Sequence, residues 1–429
     1  MKFDYGKDGI EINVEPKWNT TIFRPPKQKS IKNPKEKIQE AINNPIGSLP
    51  LKEIIKNKNK LNAVCIVSSD ATRPVPSNLI LEALIDELNS YGIEERQITI
   101  LIATGLHRPS NDDELKRVMG NKLEGRIRVI NHQPNDKNSL IQIGNSRVNH
   151  PILINKYYYA ADLKLLTGYV EPHFFFGFSG GRKSIVPGII DKETILENHS
   201  AENINSKCAR FGIYKDNPLH NHASEIINKV GADFIINVCI NEQHEIVQIS
   251  AGDLNKAHER LVEYQKRYIF REIKKPYDIV VCGNGGYPLD LNLYQAVKSM
   301  AIGEMAVKDG GIIIAVNECS DGIGQNQFKE LLYSGMKPNN IHKKILNKEI
   351  RVPDQWEIQI LTRILMKAEI FIISKLNENQ IGNIGLKFAE TVEKAIHIGL
   401  NKYGQKASIL FLPNGPSVLP ILKRLDEIS

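Results

Sequence analysis

The 429-residue sequence lacks any uninterrupted apolar run of about 18 residues, the length that a membrane-spanning helix needs. Its first residues contain no apolar stretch of signal-peptide length. The sequence also has no internal repeat with a period of roughly 20–50 residues, which excludes a solenoid or a propeller. We therefore expect a cytoplasmic protein without a membrane segment.

Cysteine is scarce, and the few cysteines form no recognisable framework. The five are Cys65, Cys208, Cys239, Cys282 and Cys319. No two of them form a C-x-x-C pair, and no zinc-site spacing occurs. An odd number of cysteines without a framework is typical of a reducing compartment.

The sequence has little excess of either charge sign. Fifty-six Lys and Arg residues against 49 Asp and Glu residues give a net charge of +7, which is mild for this length. The lysine-rich stretches at residues 27–37 and 52–60 are not interleaved with aromatic residues, so a nucleic-acid-binding track is not expected. A weakly basic balance fits an enzyme for anionic small molecules.

What the sequence does contain is an alternation of apolar runs and helical patterns, which indicates an α/β fold. The runs assigned to strands are residues 63–67, 98–103, 234–240, 245–249, 278–282, 311–316, 370–373 and 409–412. The helical patterns cover residues 78–90, 112–119, 192–198, 254–268 and 417–426. Residues 1–36 read as a strand-like opening followed by an irregular arm.

The chain is too long for one growing hydrophobic core, so two domains are expected. The α/β rhythm restarts after Lys274-Lys275-Pro276. We predict an amino-terminal cofactor-binding domain over residues 1–272 and a carboxyl-terminal domain over residues 273–405. Residues 406–429 would form a strand and a helix that complete one of the two. Both domains should contain mainly parallel sheets, in which ligands bind beyond the carboxyl ends of the strands.

Residues 170–188 form the most unusual segment, because a histidine and three aromatics precede a Ser179-Gly180-Gly181 turn and a basic pair. Backbone amides at such a turn favour an anion such as phosphate, and Lys183 adds an amine. The P-loop pattern fails, since Arg182 stands where that motif needs a glycine. The alternative is an ordinary glycine turn with a solvated basic pair.

Other polar residues follow strands or share a helix face. His107 and His173 are candidate acid–bases if they face one cleft, and are otherwise structural histidines. Arg73 offers a planar fork for a carboxylate. Gln295 and Lys298, three residues apart on one helix, can address one ligand together. Spacing alone gives little support for a metal site, and His199 stands alone.

Several motifs resemble those of the nickel-dependent lactate racemase family, in order and over both expected domains. The matching segments are Ser69-Asp70-Ala71-Thr72-Arg73-Pro74-Val75-Pro76, Ala103-Thr104-Gly105-Leu106-His107-Arg108-Pro109, residues 173–184, Asn198-His199-Ser200, residues 284–290, Tyr294-Gln295-Ala296-Val297-Lys298 and Pro353-Asp354-Gln355-Trp356. Several of these motifs are long enough to be specific.

The resemblance implies two α/β domains with the active site in the cleft between them, and a nickel pincer nucleotide as cofactor. This is a Ni(II)-pyridinium-3,5-bisthiocarboxylic acid mononucleotide, covalently attached to the lysine that matches Lys183. By the same resemblance, His199 ligates the nickel together with donors at the Lys183 attachment. His107 and His173 are the catalytic acid–bases. The remaining implied contacts are Asp70, Ala71, Thr72 and Arg73 for the cofactor, and Arg73, Tyr294, Gln295, Lys298 and Trp356 for the substrate.

The implied reaction is racemisation of a small 2-hydroxy acid, with lactate first and malate or another 2-hydroxy acid as alternatives. One histidine would remove the hydroxyl proton while hydride moves from Cα to the cofactor, and return to the other face inverts the centre. Pro172 and Phe176 are larger or stiffer than the small residues expected there in lactate-racemising members, which leaves the substrate's identity open. Cofactor-assembly proteins are the implied partners. The rival hypothesis is a noncatalytic nucleotide-binding protein.

Overall fold

The computed structural model describes residues 1–59 and 61–422, which divide into two compact units. The N-unit is Lys27–Lys266, and the C-unit combines Met1–Pro26 with the chain from Arg267 onward. Each unit is an α/β structure with a mainly parallel six-stranded sheet, which confirms the predicted fold class. Within the described residues, no helix is both long and apolar enough to cross a membrane.

The N-unit sheet has five parallel strands and one antiparallel strand at its edge. In spatial order the strands are Ile246–Gly252, Phe234–Ile240, Leu163–Tyr169, Val64–Ser69, Ile98–Ala103 and Arg128–Asn131. Two small hairpins pair Leu140–Asn145 with Pro151–Asn155 and Pro172–His173 with Gly177–Phe178. The strands predicted at residues 234–240 and 245–249 are confirmed, and they pair as an antiparallel hairpin.

The helices of the N-unit are Pro34–Asn43, Leu51–Lys56, Ser77–Ser90, Asp112–Met119, Lys156–Tyr159, Lys192–Asn198, Ala201–Asn205, Pro218–Val230 and Leu254–Ile269. The first four bury apolar residues in one core with this sheet. The Asn111 side chain caps the helix Asp112–Met119 by accepting from the amide of Glu114. The first two helices lie before residue 61, where the sequence pattern indicated no regular structure.

The C-unit sheet is entirely parallel. Its strands, in spatial order, are Lys387–Phe388, Glu369–Ile373, Val307–Val316, Tyr277–Gly283, Ser408–Leu412 and Asn19–Ile22. Shorter pairs join Lys2–Phe3 to Ile10–Glu11 and Phe270–Ile273 to Leu419–Leu422. The helices are Leu293–Glu304, Asn326–Leu332, Pro338–Leu346, Gln355–Lys367 and Val392–Tyr403.

Two features of the chain ends differ from the expected domain boundaries. The amino-terminal segment lies with the C-unit, because Asn19–Ile22 pairs with Ser408–Leu412 and Trp18 is buried in that unit's core. The helix expected over residues 417–426 is wrong for Leu419–Leu422, which is a strand. Pro420 would remove an intrahelical hydrogen bond, whereas a parallel partner strand is available. The rest of that expected helix, residues 423–429, lies outside the described residues.

Candidate functional site

Three neighbouring parallel strands of the N-unit sheet end in polar loops. Val64–Ser69 leads into Asp70, Ile98–Ala103 leads into the loop of His107, and Leu163–Tyr169 leads into the 170–184 segment. The first of these strands pairs with both of the others. Because parallel strands present their carboxyl ends at one edge, the three loops converge there.

Asp70 and His107 are in direct contact at this edge. The Nδ1 atom of His107 lies 2.7 Å from Oδ2 of Asp70, a distance typical of a charge-assisted hydrogen bond. The other carboxylate oxygen, Oδ1, accepts from the amide of Thr72 at 3.0 Å and from its hydroxyl at 2.5 Å. Asp70 is buried, while the His107 side chain is 45% exposed. The contact assigns the Nδ1–H tautomer to neutral His107 and leaves the Nε2 lone pair for a substrate.

The neighbours of Asp70 stabilise its ionised form. Burial alone would raise the pKa of Asp70, but the hydrogen bond and charge of His107, the Thr72 hydroxyl and nearby Arg73 bring the pKa below its ordinary value. The Arg73 amide also donates to the Asp70 carbonyl at 3.3 Å, and its side chain is exposed. A carboxylate that stays ionised can hold an adjacent imidazole in one tautomer and orientation.

His173 sits in the hairpin formed by Pro172–His173 and Gly177–Phe178. Gly177 has a φ of 83°, and a Cβ atom there would lie 2.1 Å from the Ile213 carbonyl oxygen, so the turn needs glycine. The amides of Phe176 and Phe175 donate to His173 Nδ1 at 3.2 and 3.5 Å. In the neutral ring the hydrogen is therefore on Nε2, opposite to His107. Both contacts are long for hydrogen bonds and therefore weak.

The Ser179-Gly180-Gly181 turn does not offer the amides that the sequence suggested. The amide of Ser179 donates to the Glu171 carbonyl at 2.8 Å, and the amide of Gly181 donates to Asn237 Oδ1 at 2.8 Å. The turn continues into a short 3₁₀ turn, Gly181–Ser184. The phosphate-binding prediction is wrong for these two amides, because protein acceptors already occupy them.

Lys183 and His199 both lie near the Phe175 ring. The Lys183 ammonium is 4.5 Å from the centroid of the Phe176 ring and 5.8 Å from that of Phe175. Phe175 in turn packs edge-on against the His199 ring, with centroids 5.1 Å apart. Phe175 and Phe176 of the 170–188 segment therefore bring Lys183 and His199 into one aromatic neighbourhood.

His199 ends the helix Lys192–Asn198 and is buried. Its Nδ1 atom lies 3.2 Å from the Ile195 carbonyl oxygen, which assigns the hydrogen to Nδ1 and a lone pair to Nε2. Burial, and then the positive charge of Lys183, lower the pKa of His199 to about 3. A neutral imidazole is the form that ligates a metal.

The part of the chain that the structure describes contains no group of three or more His, Cys, Asp or Glu residues arranged to hold a metal ion. The Lys183–His199 neighbourhood supplies one imidazole and one amine. A metal there would need further donors from a bound cofactor.

The remaining expected substrate contacts lie in the C-unit. Lys298 donates to Gln295 Oε1 at 2.7 Å, so the two side chains meet on one face of the helix Leu293–Glu304 as predicted. Tyr294 packs edge-on against Phe328, with centroids 5.5 Å apart. Burial, Glu357 and Asp354 raise the pKa of Tyr294. Trp356 is buried near the start of the helix Gln355–Lys367.

Two features were missed by sequence reasoning. Asp70 was assigned to a cofactor, whereas the structure places its carboxylate on His107. Glu357 was not singled out, yet it is 2% exposed. The sequence signal that could have found Glu357 is its place between two large apolar residues, Trp356 and Ile358.

Two family models match the chain: a lactate racemase N-terminal domain over residues 5–212 and a lactate racemase C-terminal domain over residues 273–420. The lactate racemase of Thermoanaerobacterium thermosaccharolyticum is 37% identical over 385 residues, which is 89% of each chain. The lactate racemase of Lactiplantibacillus plantarum is 37% identical over 387 residues, which is 90% of each chain.

Solved structures give the same picture. The lactate racemase apoprotein of T. thermosaccharolyticum has a TM-score of 0.89 at 35% identity, with 99% of both chains covered. A protein from Thermotoga maritima has a TM-score of 0.66 at 20% identity, covering 91% of this chain and 98% of that one. The second likeness concerns the fold alone.

Proposed function

Since the chain belongs to the lactate racemase family and is an isomerase of the racemase type, we propose that it interconverts the enantiomers of a small 2-hydroxy acid. Lactate is the first candidate substrate, because both curated relatives are named for it. Family membership removes the noncatalytic alternative. The engaged amides of the Ser179–Gly181 turn also weaken the phosphate-loop argument on which that alternative rested.

The single observation that carries the proposal is the Asp70–His107 contact. An ionised, buried carboxylate on Nδ1 makes the imidazole a stronger base at Nε2 and stabilises the imidazolium that forms when it accepts a proton. His107 is exposed enough to meet a substrate at that atom. We assign it the removal of the hydroxyl proton from one enantiomer.

His173 is the proposed acid–base for the other enantiomer. Inversion at one carbon needs a proton acceptor for each orientation of the hydroxyl group. In the arrangement described above, Nε2 of neutral His173 carries a hydrogen. Its action as a base at Nε2 requires Nδ1 to exchange the Phe175 and Phe176 amides for a hydrogen of its own. The length of those contacts, 3.5 and 3.2 Å, makes this exchange inexpensive.

The residues around Phe175 fit the proposed nickel pincer nucleotide. Lys183 would carry the covalent attachment, and Nε2 of His199 would ligate the nickel. Burial lowers the pKa of His199 and so favours the neutral imidazole, the form that ligates a metal. When bound, the group would supply a hydride acceptor, which avoids a free carbanion at Cα. We further propose cofactor-assembly proteins as partners and the cytoplasm as the compartment.

Binding of the substrate carboxylate is assigned to Arg73 and Lys298, with Gln295, Tyr294 and Trp356 as further contacts. A guanidinium fork and an ammonium are the usual partners of a carboxylate. Lys298 is held by Gln295 at 2.7 Å, so its charge is positioned before a substrate arrives. The Asp70–Arg73 loop would serve both His107 and the substrate or cofactor.

The test is chiral chromatography of pure L- and D-enantiomers of lactate, malate and longer 2-hydroxy acids after incubation with the protein. The protein should be made with and without the cofactor-assembly proteins. We expect racemisation of one such acid only by the preparation carrying both nickel and a cofactor-sized mass increment. Unchanged enantiomers from that loaded preparation, across the whole panel, would contradict the proposal.

A further inference from the structure

Glu357 is a buried carboxyl group in the C-unit. It lies on the helix Gln355–Lys367, which packs against the helix Leu293–Glu304 that carries Lys298. The residue is 2% exposed. Within residues 1–59 and 61–422, its Oε2 atom has no hydrogen-bond partner. A buried carboxylate that is not fully hydrogen-bonded is costly unless a positive charge offsets it.

Lys298 supplies that positive charge. Burial raises the pKa of Glu357 most, Lys298 opposes this rise, and Asp354 adds to it. Lys298 is only half-buried, so its ammonium can also face a ligand. Glu357 and Lys298 are therefore an electrostatic pair with one member inside the unit and the other near its surface.

Apart from Tyr294, the other ionisable groups near these helices are engaged elsewhere or exposed. Tyr294, on the helix of Lys298, is affected by Glu357. His342, on the neighbouring helix Pro338–Leu346, has its Nδ1 atom 3.2 Å from the Thr362 hydroxyl. Lys329 and Glu330, on the helix Asn326–Leu332, are exposed. Lys298 and Asp354 are thus the charges that act on Glu357.

We propose that Glu357 is a positioning residue, the buried counter-ion of Lys298, and that it takes up a proton from solvent when the substrate carboxylate binds to that ammonium group. This inference rests on the proposed function, which assigns Lys298 to the substrate. One ammonium cannot fully offset two carboxylates, and the buried one loses more by staying ionised. Substrate affinity therefore falls as pH rises and the bound proton becomes harder to supply.

The same pair of helices offers a matched control. Arg363 donates to both carboxylate oxygens of Glu304, at 2.9 and 2.6 Å, with the two side chains 12% exposed. Glu304 lies six residues after Lys298, and Arg363 lies six residues after Glu357. Glu304→Gln therefore removes a comparably shielded carboxylate from the same interface without touching Lys298.

The first arm measures Lys298 itself, in the full chain made without the cofactor-assembly proteins. Trace acetylation with acetic anhydride over a pH series, read by mass spectrometry, gives the reactivity of each lysine. Removing the Glu357 carboxylate destabilises the Lys298 ammonium, so Glu357→Gln should acetylate about tenfold faster at Lys298 at one pH. Lys367, whose ammonium bonds the Glu304 carbonyl, should keep its reactivity and so report an intact fold.

The second arm measures KM against pH between 6 and 10 in the cofactor-loaded enzyme. Below the pH at which Lys298 itself loses its proton, the wild-type KM should rise with pH by up to tenfold per unit, whereas that of Glu357→Gln should stay flat and be lower where the wild-type KM has risen. Glu304→Gln should follow the wild type in both arms. A lower KM in Glu357→Gln cannot be explained by damage to the helix interface, because damage would raise KM.

Three outcomes overturn the inference: equal Lys298 reactivity in wild type and Glu357→Gln, a wild-type KM that does not change with pH, and parallel KM profiles in the two proteins. The wild-type profile decides the matter even if the variant does not fold. A protein that racemises nothing yet shows the acetylation difference would refute the proposed function and keep the pair. Racemisation without the acetylation difference would support the proposed function and refute the Glu357–Lys298 pair.

Discussion

His107 Nδ1 and Asp70 Oδ2 lie 2.7 Å apart, although 37 residues separate them in the chain. They meet because Val64–Ser69 and Ile98–Ala103 are neighbouring parallel strands and each residue follows the end of one. The second oxygen of Asp70 is tied to Thr72, so the carboxylate cannot turn away. The contact joins a fixed negative charge to an exposed imidazole.

Asp70→Asn should impair this base without removing it. Losing one charge-assisted hydrogen bond costs roughly 1.5–3 kcal/mol, so kcat should fall at least about tenfold. Asp136→Asn is the control, since Asp136 accepts from the amide two residues on, as Asp70 does. An unchanged kcat in Asp70→Asn would show that Asp70 has no such role.

Lys183→Ala should abolish the covalent cofactor adduct in the intact-protein mass spectrum. Lys183→Arg should abolish it too, because a guanidinium cannot form the thioamide. Replacing the exposed Lys207 by alanine should leave the adduct in place. Retention of the adduct in either Lys183 variant would exclude this residue as the anchor.

His199→Ala should lower bound nickel relative to the sulfur-bearing cofactor, measured by elemental analysis of the purified protein. The reason is that Nε2 of His199 is the proposed nickel ligand and Nδ1 is engaged by Ile195. His244→Asn serves as control, because His244 is exposed and asparagine tolerates its φ of 60°. Normal nickel and activity in His199→Ala would leave His199 with a helix-end role only.

Mild acid should destabilise the fold through buried histidines. Burial is the main cause of their low pKa values: about 4 for His132, 3 for His199, 3 for His220 and 4 for His258. Between those pKa values and about pH 6.5, the unfolded chain binds more protons than the folded chain. The free energy of unfolding therefore rises with pH over this range and levels off above about pH 6.5.

Urea unfolding at pH 7.5 and 5.5 measures this effect. Each histidine should contribute a loss on the order of 1 kcal/mol at the lower pH. His132→Gln should lose less stability between the two pH values than the wild type does. Equal unfolding free energies of the wild type at both pH values would contradict the argument.

Much of the fold followed from local patterns. The helices Asp112–Met119 and Lys192–Asn198 have the predicted bounds, because their caps and apolar spacing are local. The pairing of Asn19–Ile22 with Ser408–Leu412 was not predictable, since nearly 390 residues separate the strands and no local signal records the contact.

The candidate site was also predictable from the sequence only in part. The sequence indicated that His107 follows the end of a strand, but it did not show that Asp70 contacts its imidazole. The phosphate turn failed because Asn237, from a distant strand, takes the Gly181 amide. Glu357 escaped notice because a glutamate in a helix normally faces water, and only the packing of a second helix buries it.

The central claim is that two histidines serve opposite enantiomers, and the most direct test is the initial racemisation rate from pure L- and pure D-substrate in wild type, His107→Ala and His173→Ala. All three proteins should first be shown to carry equal cofactor and nickel. Each direction uses one histidine as base and the other as acid, so we predict that either substitution stops racemisation from both enantiomers. A single variant that still racemises both at close to the wild-type rate would contradict the account.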